Sequence, residues 1–134
     1  MRYLLDTNVV SDIVRDPQGC AAERILAVGE SDICASIYVA AELRYGAARK
    51  GSPRLAAQLK AVLGALDVLP FEAPADTTYA RIRVQLEQSG KPIGANDLMI
   101  AAQAVALGCI IVTDNETDFA RVDGLSRVNW LRQP

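Results

Sequence analysis

The residues of this chain that are able to do chemistry are carboxylates set at the ends of apolar runs. Asp6 follows Tyr3-Leu4-Leu5, and Asp114-Asn115-Glu116-Thr117-Asp118 follows Cys109-Ile110-Ile111-Val112-Thr113. Asp97 opens the apolar stretch from Ala95 to Leu107, and Glu42 lies between Tyr38 and Tyr45. The sequence contains no histidine. That removes Ser-His-Asp and Cys-His catalysis, histidine-assisted RNA cleavage and most zinc sites. An enzyme built from these residues works with carboxylates, hydroxyls, lysine, arginine or cysteine. Carboxylates with neither histidine nor a paired cysteine favour a hard, oxygen-loving ion such as Mg2+ or Mn2+.

Clustered carboxylates repel one another, and without a counter-ion some of them hold protons at neutral pH. One or two divalent cations resolve that conflict, and they also activate water and stabilise charge on a phosphodiester. Each acid has a local alternative as well. Asp6 and Asp97 are suited to capping helices, Glu42 to pairing with Arg49 or Arg83, and Asp118 to a surface turn. That every one of them lies at a strand end or beside an apolar helix favours a single shared site.

The elements that must position these acids can be read from hydrophobic patterning. Tyr3 to Leu5 reads as a buried strand, and Thr7 to Val14 as a short helix closed by Arg15-Asp16-Pro17. A second helix is expected over Gln18 to Val28, stopped by Gly29. Asp32 to Ala35 is a short strand, with Ser36 as N-cap of a helix over Ile37 to Lys50. Gly51-Ser52-Pro53 supplies a stop, a cap and a proline at the first position of the next helix, Pro53 to Leu63. A strand over Leu66 to Phe71 and a helix over Ala75 to Gln88 precede the loop Ser89-Gly90-Lys91-Pro92-Ile93-Gly94. The helix Ala95 to Leu107 is apolar nearly all round and so buried, with Asp97 in its first turn. The strand Cys109 to Thr113 and a strand-like Val128 to Leu131 complete the chain. Strands alternating with helices predict a parallel sheet covered on both faces, a three-layer α/β/α sandwich. In such a sheet the acids converge at the C-terminal edge of the strands, where ligands bind. The chain has no internal repeat or dividing linker, which predicts a single domain over residues 1–134.

Net charge is −2, which argues against broad nonspecific nucleic-acid binding. The charge is unevenly spread: Leu43 to Asn96 carries +4 and the remainder −6. A basic middle beside an acidic site suits a metal and a phosphate-bearing substrate. Cys20, Cys34 and Cys109 are far apart and read as reduced, mostly buried thiols of a cytoplasmic protein. No run is long enough to span a bilayer, and no secretory signal is evident.

These residues fall into a recognisable order: Leu4-Leu5-Asp6-Thr7-Asn8, then Glu42-Leu43-Arg44-Tyr45-Gly46, then Ile93-Gly94-Ala95-Asn96-Asp97-Leu98-Met99-Ile100-Ala101, then Ile111-Val112-Thr113-Asp114-Asn115. With the closing Phe119 to Leu125 segment, nearly the whole chain resembles the PIN-domain ribonucleases, specifically the VapC toxins of bacterial toxin–antitoxin pairs. The resemblance implies Mg2+ or Mn2+ held chiefly by Asp6 and Asp97, with Glu42 in the same acidic pocket. It places a fourth position just after Thr113, where Asp114, Asn115 and Asp118 are all candidates. Thr7 and Thr113 become hydroxyls that orient carboxylates or water. It further implies endonucleolytic cleavage of a structured RNA such as tRNA, a homodimer whose acidic pockets share a groove, and a cognate VapB-like antitoxin. The helical hairpin around Ala47 to Leu63, with its arginines and lysines, is the expected place for RNA and antitoxin contacts. Two other readings compete. Leu5-Asp6-Thr7-Asn8-Val9 distantly resembles the strand end of haloacid dehalogenase-type phosphatases, but Asn8 stands where that signature has its second aspartate. A non-catalytic binding module of the same fold is the other.

Overall fold

Leu4 and Leu5 are fully shielded from solvent, and the strand that carries them, β1 (Tyr3–Leu5), is the centre of the sheet. The computed structural model describes residues 2–132. On one side β1 pairs in parallel with β2 (Ile33–Ser36), Leu5 standing opposite Ala35. On the other it pairs with β4 (Ile110–Val112), Leu5 standing opposite Val112. β3 (Asp67–Leu69) and β5 (Ser126–Val128) form the edges, giving the order β3-β2-β1-β4-β5 with every pairing parallel. This is the expected sandwich: five parallel strands flanked by helices.

The helices are α1 (Thr7–Arg15), α2 (Cys20–Val28), α3 (Ile37–Lys50), α4 (Pro53–Ala65), α5 (Ala75–Gln88), α6 (Ala95–Leu107) and α7 (Glu116–Phe119). Their ends obey the sequence signals. Ser36 Oγ accepts the Tyr38 N–H at 3.0 Å to start α3, and Gly51, at φ 64°, ends it in the left-handed region. Ser52 Oγ accepts the Leu55 N–H at 3.2 Å, with Pro53 opening α4. Asp16 makes the turn after α1 and Gly19 opens α2, so that helix begins at Cys20 rather than at Gln18. α6 buries Ile100, Ala101, Ala102 and Ala104 completely, as its nearly uniform apolar surface requires. None of the described helices is long and apolar enough to cross a membrane.

One expectation is corrected, and one element is new. The last strand is Ser126–Val128, not Val128 to Leu131. The chain turns after Val128 because Asn129 Oδ1 accepts the Leu131 N–H at 2.9 Å, and Trp130 is buried by tilting onto Tyr3 with ring centroids 4.9 Å apart. The short helix α7 has no counterpart in the hydrophobic pattern. It forms where Phe119 swings into the core and is fully shielded.

Candidate active site

The strand ends supply the first half of the site. Asp6 directly follows β1, and its own N–H is tied to the Val112 carbonyl at 2.9 Å, so the residue is held between the two central strands. Its carboxylate caps α1 by accepting the Thr7 N–H at 2.8 Å on Oδ1. Its other oxygen, Oδ2, accepts the Thr113 hydroxyl at 2.7 Å, a bond between residues 107 positions apart. Asp6 is therefore both helix cap and buried acid, only 3% exposed. Burial raises its pKa, and the Thr113 hydroxyl and Thr7 N–H oppose that rise.

The loop after β4 supplies the second half. Thr113 Oγ1, which donates to Asp6, also accepts the Asn115 N–H at 2.9 Å. This turns the Asn115 side chain toward the acids, and its Nδ2 donates to Asp97 Oδ2 and to Asp118 Oδ2, each at 3.2 Å. α7 matters here, because one helical turn brings Asp118 back beside Asn115. Arg121 Nη1 lies 3.4 Å from the far oxygen of Asp118.

Glu42 reaches the cluster from the middle of α3, where it is half-buried. It is not enclosed by aromatic rings: Tyr38 turns edge-on to Phe71 at 5.6 Å, and Tyr45 is exposed. Burial and the Asp6 charge raise the Glu42 carboxyl. The Thr7 hydroxyl lies close enough to oppose this, yet short of a hydrogen bond of good geometry, and its Oγ1 is buried without a partner. Asp97 is pushed furthest of these three carboxyls. Burial, then the charges of Asp6, Glu42 and Asp118, push it from 3.8 up to about 6, against the Asn115 amide.

Of the residues singled out in sequence, Asp6, Glu42, Asp97, Asn115 and Asp118 come together, with Thr7 and Thr113 beside them. Asp114 does not. Its backbone N–H is held by Asn8 Oδ1 at 3.1 Å, and its carboxylate turns away to Asn129 Nδ2 at 2.9 Å and Arg132 at 3.8 Å. Asn8, whose Nδ2 also lies 3.5 Å from Asp6 Oδ2, thus ties the β4 loop to α1. Only its place among short polar residues at a strand end marked it in sequence.

The donor set fits a divalent cation. All the converging side chains present oxygen or amide groups, and the mutual repulsion that raises Asp97 is relieved by a positive ion. Among the described residues no three acids already enclose a point as a metal cage would. Mg2+ does not need one, because it keeps several waters and binds through one or two carboxylates plus substrate phosphates.

Comparison with known proteins gives the arrangement its context. The PIN domain family model matches residues 3–125. The tRNA(fMet)-specific endonuclease VapC of Shigella flexneri is 34% identical over 131 residues, covering 97% of this chain and 98% of that protein. Ribonuclease VapC2 of Rickettsia felis is 36% identical over 132 residues, with coverage of 97% and 98%. The crystal structure of VapBC2 from Rickettsia felis, bound to a DNA fragment from their promoter, has a chain that superposes with a TM-score of 0.89. That match has 32% identity and covers 97% of this chain and 99% of the other. The phosphatase reading finds no support in these matches. The chain belongs to the PIN-domain family, among the VapC ribonuclease toxins of toxin–antitoxin systems.

Proposed function

We propose that this chain is an endoribonuclease that hydrolyses phosphodiester bonds of structured RNA, with tRNA as the substrate class and Mg2+ or Mn2+ as cofactor. The observation that carries the reading is the meeting of Asp6, Glu42, Asp97 and Asp118 at one sheet edge, close enough that the other three raise Asp97. Asp6 and Asp97 would hold the cation. When bound, it supplies positive charge to the phosphodiester and makes a nearby water acidic enough to attack. The chain's own residues prepare that event. Thr113 and the Thr7 N–H fix both oxygens of Asp6. Asn115 fixes Asp97 and Asp118 relative to each other. Glu42, whose carboxyl is raised, is suited to take the proton of the attacking water. The tRNA(fMet) specificity named for the Shigella flexneri relative supports the substrate class.

The partner we assign is a cognate VapB-like antitoxin, and the VapBC2 complex supports it. We place it on an apolar groove of about 180 Å3 lined by Val14, Leu43, Ala47, Leu55 and Leu59. Arg15, Lys50 and Glu42 also line it, so a helix seated there would meet one of the acids directly. We further read the protein as one PIN-like domain over residues 1–134, homodimeric and cytoplasmic. The buried thiols Cys34 and Cys109, outside any disulfide, suit a reducing compartment. Purified protein given Mg2+ or Mn2+ is expected to cut total tRNA at discrete positions, and a chelator to stop it. Intact tRNA and intact cellular RNA under both metals would overturn the reading.

A further inference from the structure

A second concavity reaches the helix turn that carries Asp97, and the catalytic reading leaves it unused. It lies between α5 and the segment leading into α6, and it encloses about 200 Å3. Tyr79, Leu86, Ile93 and Leu98 form its walls, with Arg83 and Glu87 at its mouth. Ala95 and Leu98, which line it, flank Asp97 on the first turn of α6. Groove and acids therefore share one helix end.

The chemistry of the groove is mixed in a particular way. Its walls are apolar with one aromatic ring. Its mouth carries a positioned donor and acceptor: Arg83 Nη1 donates to Tyr79 Oη at 2.9 Å, and Arg83 Nε stands 3.6 Å from Glu87. Further positive charge lies on the same side. Lys91 precedes Pro92, and Arg121 Nη1 donates to the Pro92 carbonyl at 3.3 Å. A single unpaired nucleobase matches each of these features. Its π face stacks on an aromatic wall, its edge offers donors and acceptors to Arg83 and Glu87, and its phosphates meet the cations. A purely apolar ligand would leave the Arg83–Glu87 couple without a function and would not explain the cationic flank.

We propose that this groove is a nucleobase subsite, which takes one unpaired base of the RNA beside the phosphodiester to be cut. The inference rests on the ribonuclease reading and extends it, because it makes cleavage require an unstacked nucleotide at a fixed place near the scissile bond.

The test is a double-perturbation cycle on an RNA stem-loop that the wild-type protein cuts at a mapped bond. Each nucleotide near that bond is replaced in turn by an abasic residue, and kcat/KM is measured for wild type, Tyr79→Ala and the better-packing Tyr79→Leu. One abasic position is expected to lower wild-type kcat/KM about tenfold, the order of one base–aromatic stack. The Tyr79 variants are expected to lose a similar factor on intact RNA and almost nothing more on that abasic RNA. Equal losses on intact and abasic RNA, or cleavage indifferent to every abasic position, would overturn the subsite and leave the ribonuclease reading standing. A changed sedimentation mass in Tyr79→Leu would also overturn it, by assigning the groove to a protein neighbour. A wild-type protein that cuts no RNA overturns both.

Discussion

Replacing Asp97 by asparagine is expected to stabilise the protein while removing its activity. The carboxyl gives up its proton at about 6 instead of 3.8, because burial and three neighbouring acids disfavour its charge. Each tenfold change in proton affinity is worth about 1.36 kcal/mol, so the ionised group costs the fold up to about 3 kcal/mol at neutral pH. Asp97 is only partly buried, and solvent screening brings the expected cost down to about 1 kcal/mol. Asparagine has the same shape and keeps an oxygen to accept the Asn115 amide, now at 3.2 Å. For a chain of this length the gain corresponds to roughly 3–5 °C in Tm. The sign fixes the pH dependence. The folded state binds the proton more tightly than the unfolded chain, so the penalty grows as pH rises from 3.8 to about 6 and is complete above that. In chelator, the advantage of Asp97→Asn over wild type should thus be full at neutral pH and fade as pH falls toward the ordinary carboxylate range. Added Mg2+ should raise the Tm of wild type and much less that of the variant, since binding to the folded state alone stabilises it. A variant that melts below wild type at neutral pH in chelator would refute the electrostatic argument. A variant with an undiminished Mg2+ response would refute the assignment of Asp97 as a cation holder.

The same geometry sets four further outcomes. Thr113→Val removes the 2.7 Å hydroxyl bond to Asp6 while keeping the shape. It is expected to lower stability by about 1.5–3 kcal/mol in denaturant titration, the range for a hydrogen bond to a charged group. Asn115→Ala removes the one hydrogen bond that lowers the Asp97 pKa, so the acidic limb of the rate–pH profile should move to higher pH. Asp114→Asn should leave cleavage within a few fold of wild type, because that carboxylate faces Asn129 and Arg132; a loss as deep as that of Asp6→Asn would contradict this placement. Trp130→Ala should cost about 3–5 kcal/mol by emptying a buried aromatic site against Tyr3, read from thermal or denaturant unfolding.

The parallel sandwich was legible because its strands are short apolar runs punctuated by acids, serine, glycine and proline, and local chemistry sets such boundaries. Asp6 and Asp97 were legible for the same reason, since each stands where a run begins or ends. The segment after Thr113 was not. Asp114, Asn115 and Asp118 are equivalent in sequence, and they are separated only by a turn that aims successive side chains in different directions. That turn is set by one distant partner, Asn8, which holds Asp114 by its backbone, and by the Thr113 hydroxyl, which holds Asn115 while itself tied to the distant Asp6. α7 is four residues long, too brief for a helical period to register, although it is what brings Asp118 home. The slip in β5 has a similar origin. Val128 to Leu131 has the apolar character of a strand, but Trp130 is buried by stacking across to Tyr3, a contact that no local pattern records.

The bond from Thr113 to Asp6 spans 107 positions and closes across the β1–β4 pairing. A chain still being made presents Asp6 107 positions ahead of the hydroxyl that will hold it. At about 5–20 residues per second, the stretch between them takes roughly 5–21 s to make. Throughout that interval Asp6 has neither its hydroxyl partner nor the Asn115 bridge beside it, so the cluster of acids is unformed. The cluster closes as one step, when β4 and the loop after it dock beside β1.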